Sequence, residues 1–532
     1  MSYRFVLTFL FCAYLQVAAQ EIKQPKLIVG IVVDQMRYDY LTRFYQDFGD
    51  DGFKRLMRGG LNCKNVHYTY KPTYTGPGHA TIFTGTSPSV HGIVGNNWYD
   101  RNTRKSVYCV EIEGDFAPAF SPKRLLVETF ADGLKQFSNF QSKSYGISLK
   151  DRGAILPAGH LADGAYWFDG EKGKWVSDVF YPNFNASWLS EFNALDFSEL
   201  YLVKGWTLSK SINDYTESIP DLNNYEYPLT SKSKTVFPYN LVKAKKDSDW
   251  GILKKVPQGN QMSADLFKVL VEKEAIGKGK HTDFVSLSFS ATDYVGHRFG
   301  VQSVEVQDTY VKLDETIADL LTFLDLQVGE GEYTVFLTSD HGAGMPRSYL
   351  QEKGIPSGEL NQREMKRKLI EIANDEGLAE AWIEQVMNLN VYFNDSLKNA
   401  EYENYQRLKL KCLNWLTQQE GIAKVVDCEK TSAANDQRVQ MTLRGFHPQR
   451  SGDLILIEEA NWSTYTDKGS THGSLYEYDT HVPLLFYGFG ISKGEDVSAY
   501  PVSSIVPSLS LLFGFQTNQG WQLTPIQKLF KQ

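Results

Sequence analysis

Three runs of apolar, largely β-branched residues each stop just short of an acidic residue, and few folds accommodate that pattern. Residues 26–33 (KLIVGIVV) run into Asp34, residues 284–290 (FVSLSFS) are followed by Asp293, and residues 333–338 (YTVFLT) by Asp340. A continuous run, as opposed to an alternating one, is what a strand buried on both faces of a parallel sheet requires. Shorter runs at 454–457 and 482–487 have the same character, and Tyr310, Leu313, Ile317, Leu320, Leu321 and Leu324 recur at the spacing of a helix lying on a sheet. Strands alternating with such helices predict an α/β fold with a doubly wound, mainly parallel sheet, whose ligands bind beyond the carboxyl ends of the strands. The acidic residues stand at those ends.

The rest of the chain is organised around this core. Arg4 precedes an apolar run at 5–15 and Val17-Ala18-Ala19 forms a small-residue cleavage pattern, so residues 1–19 read as a signal peptide and the product as periplasmic or secreted. Tyr14 and Gln16 keep that run below the roughly 18 apolar residues that span a bilayer, and Phe11 before Cys12 argues against a lipoprotein anchor. No membrane anchor is expected. The mature chain, 20–532, reads as a single catalytic domain with its core at 20–153, 281–346 and 450–532 and two inserted cap regions at 154–280 and 347–449. The first insertion carries Trp167, Trp175, Trp188, Trp206 and Trp250, which suit either a substrate-facing lid or, more simply, a small core of its own. The second carries helical stretches at 362–374 and 402–418, with the basic run at 363–368 as a solvated face. Cys63, Cys109, Cys412 and Cys428 remain after cleavage, with no C-x-x-C element, leaving disulfides or buried thiols. With 55 Lys+Arg against 63 Asp+Glu the net charge is -8, which argues against nucleic acid as a bulk partner. No feature sets the oligomeric state, and a monomer is the default expectation.

Six Asp and His residues carry the chemistry. Asp293 and His297 lie four apart, so on a helical turn both side chains point the same way. Asp340-His341 leaves one strand directly, Asp34 ends another, and His472 stands in Ser470-Thr471-His472-Gly473 before the last run. Three carboxylates and three imidazoles suffice for two metals with three protein ligands each and open positions for substrate. Nitrogen and oxygen donors without Cys fit zinc best, with manganese, iron or cobalt as alternatives. Singly, each of these residues has an ordinary role as a cap, turn former or structural histidine; their joint placement at strand ends sets them apart.

Asp34, Thr75-Gly76-Pro77-Gly78-His79, Asp293-x-x-x-His297, Ser339-Asp340-His341-Gly342 and Thr471-His472-Gly473 together resemble the alkaline phosphatase superfamily. Within it the chain is similar to the phosphate-irrepressible alkaline phosphatases, over essentially the whole mature length. That resemblance implies a Thr nucleophile and two zinc ions, one held by Asp293, His297 and His472, the other by Asp34, Asp340 and His341 together with Thr75. The residues around Thr75 agree: Gly76, Pro77 and Gly78 turn tightly before an apolar run, placing the hydroxyl at a helix N-terminus where free N–H groups favour phosphate. Without metal ligands nearby Thr75 would be a plain cap.

Specificity falls to Asn96, Lys150 and Arg152. A phosphate monoester presents three non-bridging oxygens carrying about two charges and needs more donors than a diester. In Ser148-Leu149-Lys150-Asp151-Arg152, alternate positions put Lys150 and Arg152 on one side of an extended segment, and the resemblance marks this pair and the Asn as features of monoesterases. A nucleotide pyrophosphatase or phosphodiesterase of the same superfamily is the alternative; a sulfatase lacks its Cys at the Thr75 position. His79 and His91 flank the nucleophile loop and are expected to position it, while His481 is either a supporting group or an alternative ligand to His472. Counting three Asp, two divalent ions, Lys150, Arg152 and a Thr75 alkoxide gives a local charge of roughly +2, so an acidic protein can still bind a phosphate dianion.

Overall fold

The computed structural model describes residues 23–112, 119–430, 435–464, 467–515 and 525–530. The leader expected over 1–19 lies outside the described residues. The chain lays down β1 (Leu27–Val33), β2 (Leu61–His67), β3 (Ser144–Ser148), β4 (Gly164–Asp169), β5 (Lys174–Val176), β6 (Asp283–Phe289) and β7 (Tyr333–Thr338). It then builds β8 (Ile383–Met387), β9 (Asn390–Phe393), β10 (Ile422–Asp427) and β11 (Leu454–Glu458), and finishes with β12 (His481–Gly488), β13 (Gly494–Asp496) and β14 (Tyr500–Pro501). The main sheet has the order β13-β2-β12-β7-β1-β6-β3-β4-β5, with β14 beside β2. β7, β1, β6, β3 and β4 run parallel, while β12 and β5 are antiparallel to their inner neighbours.

The continuous apolar runs are explained by burial on both faces. On β1, Val29, Ile31 and Val33 pack into one core with Ile317, Leu320 and Leu321, while Ile28 and Val32 face a second core with Phe83, Phe284 and Phe336. Helices cover both sides: α1 (Thr75–Thr84), α2 (Asp151–Ala158), α3 (Gln258–Lys273), α4 (Ala291–Phe299) and α5 (Val304–Leu324), the last being the helix that the apolar spacing predicts. The helices expected in the second insertion are α6 (Gln362–Asp375) and α7 (Tyr402–Thr417).

Three expectations are corrected. The segment 154–280 is not outside the core: β4 pairs with β3 inside the main sheet. Consequently Trp175, Trp188 and Trp206 join the large core beneath the sheet and form neither a lid nor a core of their own. The run at 454–457 does not belong to the main sheet; β11 pairs with β9 and β10 in a separate four-stranded sheet. A buried apolar run specifies a strand but not which sheet it joins, so the second inserted unit extends past 449 to Glu458. The four cysteines are free thiols, three of them fully buried.

Register positions the site. Thr338, Val32, Ser288 and Ser148 form one row across four parallel strands. Asp340, Asp34, Asp293 and Lys150 follow that row by two to five residues and emerge at the same edge. α1 crosses this edge so closely that a Cβ on Gly78 would stand 2.4 Å from the Asp340 carbonyl oxygen. Gly78→Ala should therefore destabilise the fold by about 1–3 kcal/mol, the usual cost of overpacking. A urea midpoint equal to that of the parent protein would contradict this packing.

Candidate active site

The site residues come from several elements and converge on one site. Asp34 follows β1, Asp340 and His341 follow β7, and Asp293 and His297 lie one turn apart on α4. Thr75 is the first residue of α1, and His472 arrives on the loop before β12. His297 Nε2 is 3.2 Å and His472 Nε2 3.7 Å from Asp293 Oδ1. His341 Nε2 is 3.6 Å from Asp34 Oδ1 and 3.5 Å from Asp340 Oδ2. By proximity the groups form two trios, Asp293–His341–His472 and Asp34–Asp340–His341. They differ from the expected sets in sharing His341, whose ring stacks on His472 at 3.4 Å.

The backbone fixes each imidazole with its ligating nitrogen inward. Nδ1–H of His297 donates to the Ser470 carbonyl at 2.7 Å, that of His472 to Thr73 at 2.7 Å, and that of His341 to Gly342 at 3.0 Å. A neutral imidazole that donates through Nδ1 keeps its Nε2 lone pair for a metal. Asp34 Oδ1, Asp340 Oδ2 and His341 Nε2 are buried without a hydrogen-bond partner. Buried polar atoms are normally satisfied, and oxygen and imidazole donors left open together fit a divalent cation of zinc type.

The charges divide unequally. Burial, and then Asp340, push the Asp34 carboxyl well above its ordinary range, and burial pushes Asp340 up to about 7. Burial opposes ionisation of Asp293 too, but His297 and Lys150 outweigh it and hold that group well below its usual value. Burial keeps His341 and His472 neutral, the latter with its pKa lowered to about 3. Lys150 Nζ donates to Asp34 Oδ2 and Asp293 Oδ2, both at 2.6 Å, and lies 3.4 Å from Thr75 Oγ1. Burial alone would lower the Lys150 pKa; Asp293 and Asp34 together raise it.

Two expectations about phosphate contacts change. Lys150 and Arg152 do not share one side of an extended strand: Lys150 is the N-cap of α2 and Arg152 lies in its first turn. Both still line the cleft. The start of α1 is also less open than expected: Gly76 N–H goes to Asn96 Oδ1 at 2.7 Å, Pro77 has none, and Gly78 N–H goes to the Tyr74 carbonyl at 2.8 Å. The Gly76 bond fixes the Asn96 amide and leaves its Nδ2 end for a ligand.

The sequence reading passed over several supporting residues. Gln35, at φ 65°, donates its side-chain amide to Asp293 Oδ1 at 2.7 Å and its backbone N–H to Asp340 Oδ1 at 3.2 Å. Its place directly after Asp34 at a strand exit was the available signal. Tyr108 takes Arg152 Nη1–H at 3.0 Å and donates to Asp151; nothing local in the sequence announces that. His79 donates Nδ1–H to the Thr75 carbonyl at 3.0 Å, and His91 bonds Thr81 and the Ile93 N–H. His481 accompanies neither: it bonds the Lys64 carbonyl and stacks between Tyr38 and His67, so it is not an alternative ligand. The cleft, about 420 Å³, is roofed by Met387, Asn388 and Leu389 from the second inserted unit and by Trp462 just beyond it, and among the described residues none from 154–280 lines it.

These pKa directions give cation binding a sign. His341 and His472 are already neutral, whereas Asp340, raised to about 7, and His297, whose pKa burial would lower but Asp293 pushes up, hold protons that a cation must displace. Zinc affinity should be full near pH 8 and fall as pH drops through 7, by about tenfold per pH unit for each proton released. Competition with a chromogenic chelator from about pH 8 to pH 6 measures it; a flat profile would contradict the assignment.

A family model for type I phosphodiesterases and nucleotide pyrophosphatases matches residues 28–482. A Myroides odoratus protein named calcium-transporting ATPase is 36% identical over 98% of this chain and 98% of its own length. Alkaline phosphatase PhoV of Synechococcus elongatus is 36% identical over 94% of this chain and 92% of its own. The crystal structure of wild-type alkaline phosphatase PafA aligns with a TM-score of 0.90 at 37% identity, covering 95% of this chain and 99% of that one. Among the described residues, no helix is long and apolar enough to cross a membrane. The chain belongs to the type I phosphodiesterase and nucleotide pyrophosphatase family of the alkaline phosphatase superfamily, beside the PafA and PhoV alkaline phosphatases.

Proposed function

We propose that this chain is an exported alkaline phosphatase that hydrolyses small phosphate monoesters through a phosphothreonine on Thr75, with residues 1–19 as its periplasmic or secretory leader. One observation carries the reading: Thr75 lines the same cleft as Asn96, Lys150 and Arg152, against five clustered Asp and His side chains with His297 beside Asp293. Two divalent ions, zinc by donor type, held by Asp34, Asp340 and His341 and by Asp293, His297 and His472, would supply the Lewis acidity that makes a threonine alkoxide accessible near neutral pH.

The chain's own residues do the rest. Asn96 Nδ2, Lys150 and Arg152 are the donors for the non-bridging oxygens, and they orient phosphorus toward Thr75. Thr75 Oγ1 forms a bond to phosphorus while the ester P–O bond opposite it breaks, and the departing alkoxide is protonated from solvent, which has taken up the proton lost by the Thr75 hydroxyl. Water then attacks from the vacated side, breaking the Thr75 Oγ1–P bond and releasing inorganic phosphate. Two in-line displacements retain configuration at phosphorus. Lys150 also neutralises Asp34 and Asp293 when no phosphate is bound, so a dianion competes with two carboxylates for its ammonium group.

The family description favours one competing reading, a phosphodiesterase or pyrophosphatase. Donors to the extra monoester oxygens separate the two. Lys150→Ala and Arg152→Ala should each lower kcat/KM for a chromogenic monoester on the order of 100-fold and leave that for a diester much closer to the parent value. Equal losses on both substrates would favour the diesterase. Thr75→Ala should keep its bound metal and lose at least about 10³-fold in kcat, and retained turnover would remove Thr75 as nucleophile.

A further inference from the structure

His472 is held from behind by a run of hydrogen bonds that ends on a carboxylate outside the ligand set. Its Nδ1–H donates to the Thr73 carbonyl at 2.7 Å. The Thr73 hydroxyl donates to the Ser474 carbonyl at 2.8 Å. Ser474 donates both its N–H, at 2.7 Å, and its hydroxyl, at 2.6 Å, to one oxygen, Asp479 Oδ2. Thr73, Ser474 and Asp479 are all buried, which strengthens each of these bonds over its counterpart in water. The Asp479 carbonyl accepts Gly342 N–H at 2.7 Å, and the Gly342 carbonyl in turn receives His341 Nδ1–H. Asp479 thus braces the loops behind two ligating histidines, and Thr73 stands two residues before the nucleophile.

We propose that Asp479 is a positioning residue that sets the orientation of His472 through Ser474 and Thr73, and thereby its affinity for metal. The proposal rests on His472 being a metal ligand. A carboxylate that takes two bonds from a single serine closes the 474–479 loop in one geometry. Without it Ser474 is free to turn, its carbonyl leaves the Thr73 hydroxyl, and the Thr73 carbonyl no longer fixes the imidazole plane. Partners of this kind typically govern metal affinity by about 10–100-fold. The same displacement reaches Thr75 along the backbone, so turnover falls with metal saturated while substrate affinity, set by Asn96, Lys150 and Arg152, stays.

The test uses the full chain with Asp479→Asn, Thr73→Val and the double variant, checked for folding by circular dichroism. Zinc affinity is measured by chelator competition, and kcat and KM for a chromogenic phosphate monoester at saturating zinc. Each single variant should raise the zinc Kd about 10–100-fold and lower kcat with little change in KM. The double should be no worse than the worse single, because both changes break one relay. Folded variants with parental zinc affinity, or a fully additive double, would overturn the role of Asp479. Thr73→Val, nearly isosteric, keeps the test decisive if Asp479→Asn does not fold. A parent chain that binds no zinc would overturn the ligand reading of His472 itself, an outcome distinct from unchanged variants; the zinc arm needs no turnover.

Discussion

Asp34, Asp293 and Asp340 are buried within one site, and their mutual repulsion is what the surrounding structure must offset. Leaving one buried charge unpaired costs about 3–5 kcal/mol, so three carboxylates at 0–3% exposure demand compensation. Lys150 meets Asp34 and Asp293 together, and His297 adds to the hold on Asp293. Asp340 keeps a proton near neutral pH instead. What no protein group satisfies is specific: one oxygen each on Asp34 and Asp340 and the Nε2 of His341. These open donors stand together where a cation could complete the site.

The fold serves that constraint directly. Parallel strands buried on both faces deliver their exits in register, so neighbours in the sheet become neighbours in the cleft. α1 then closes on the β7 exit with no room for a side chain at Gly78. The second inserted unit is tied to the loop before Thr75 by the buried Lys71–Glu458 pair and by Lys71 Nζ donating to the Leu456 carbonyl at 2.9 Å. Its hairpin tip is fastened beside Asn96, where Asn388 Nδ2 donates to the Asn97 carbonyl at 2.7 Å. The roof and the edge of the cleft at Asn96 therefore share supports.

Much of this was legible in the sequence because it is written locally. β1, β6 and β7 declare themselves by unbroken apolar runs, and Asp34, Asp293 and Asp340 stand where such strands must end. Asp293 and His297 reveal their common direction through spacing alone. What failed depends on contacts far apart in the chain. β11 has the same local character as a core strand, yet it pairs with β9 and β10. β4, short and aromatic, lay hidden in a segment that looked like an insertion. The backbone turns into α2 at Lys150, where alternation suggested an extended strand. Gln35, Tyr108 and Asp479 act through side-chain partners that no spacing rule connects.

The central claim is that six Asp and His side chains from three strand exits and one loop form two adjoining metal sites against Thr75. Anomalous diffraction at the zinc edge from crystals of zinc-loaded protein tests it most directly. Two peaks are predicted, one bounded by Asp34, Asp340 and His341 beside Thr75, the other by Asp293, His297 and His472. A single peak, or two peaks away from these residues, would contradict the account.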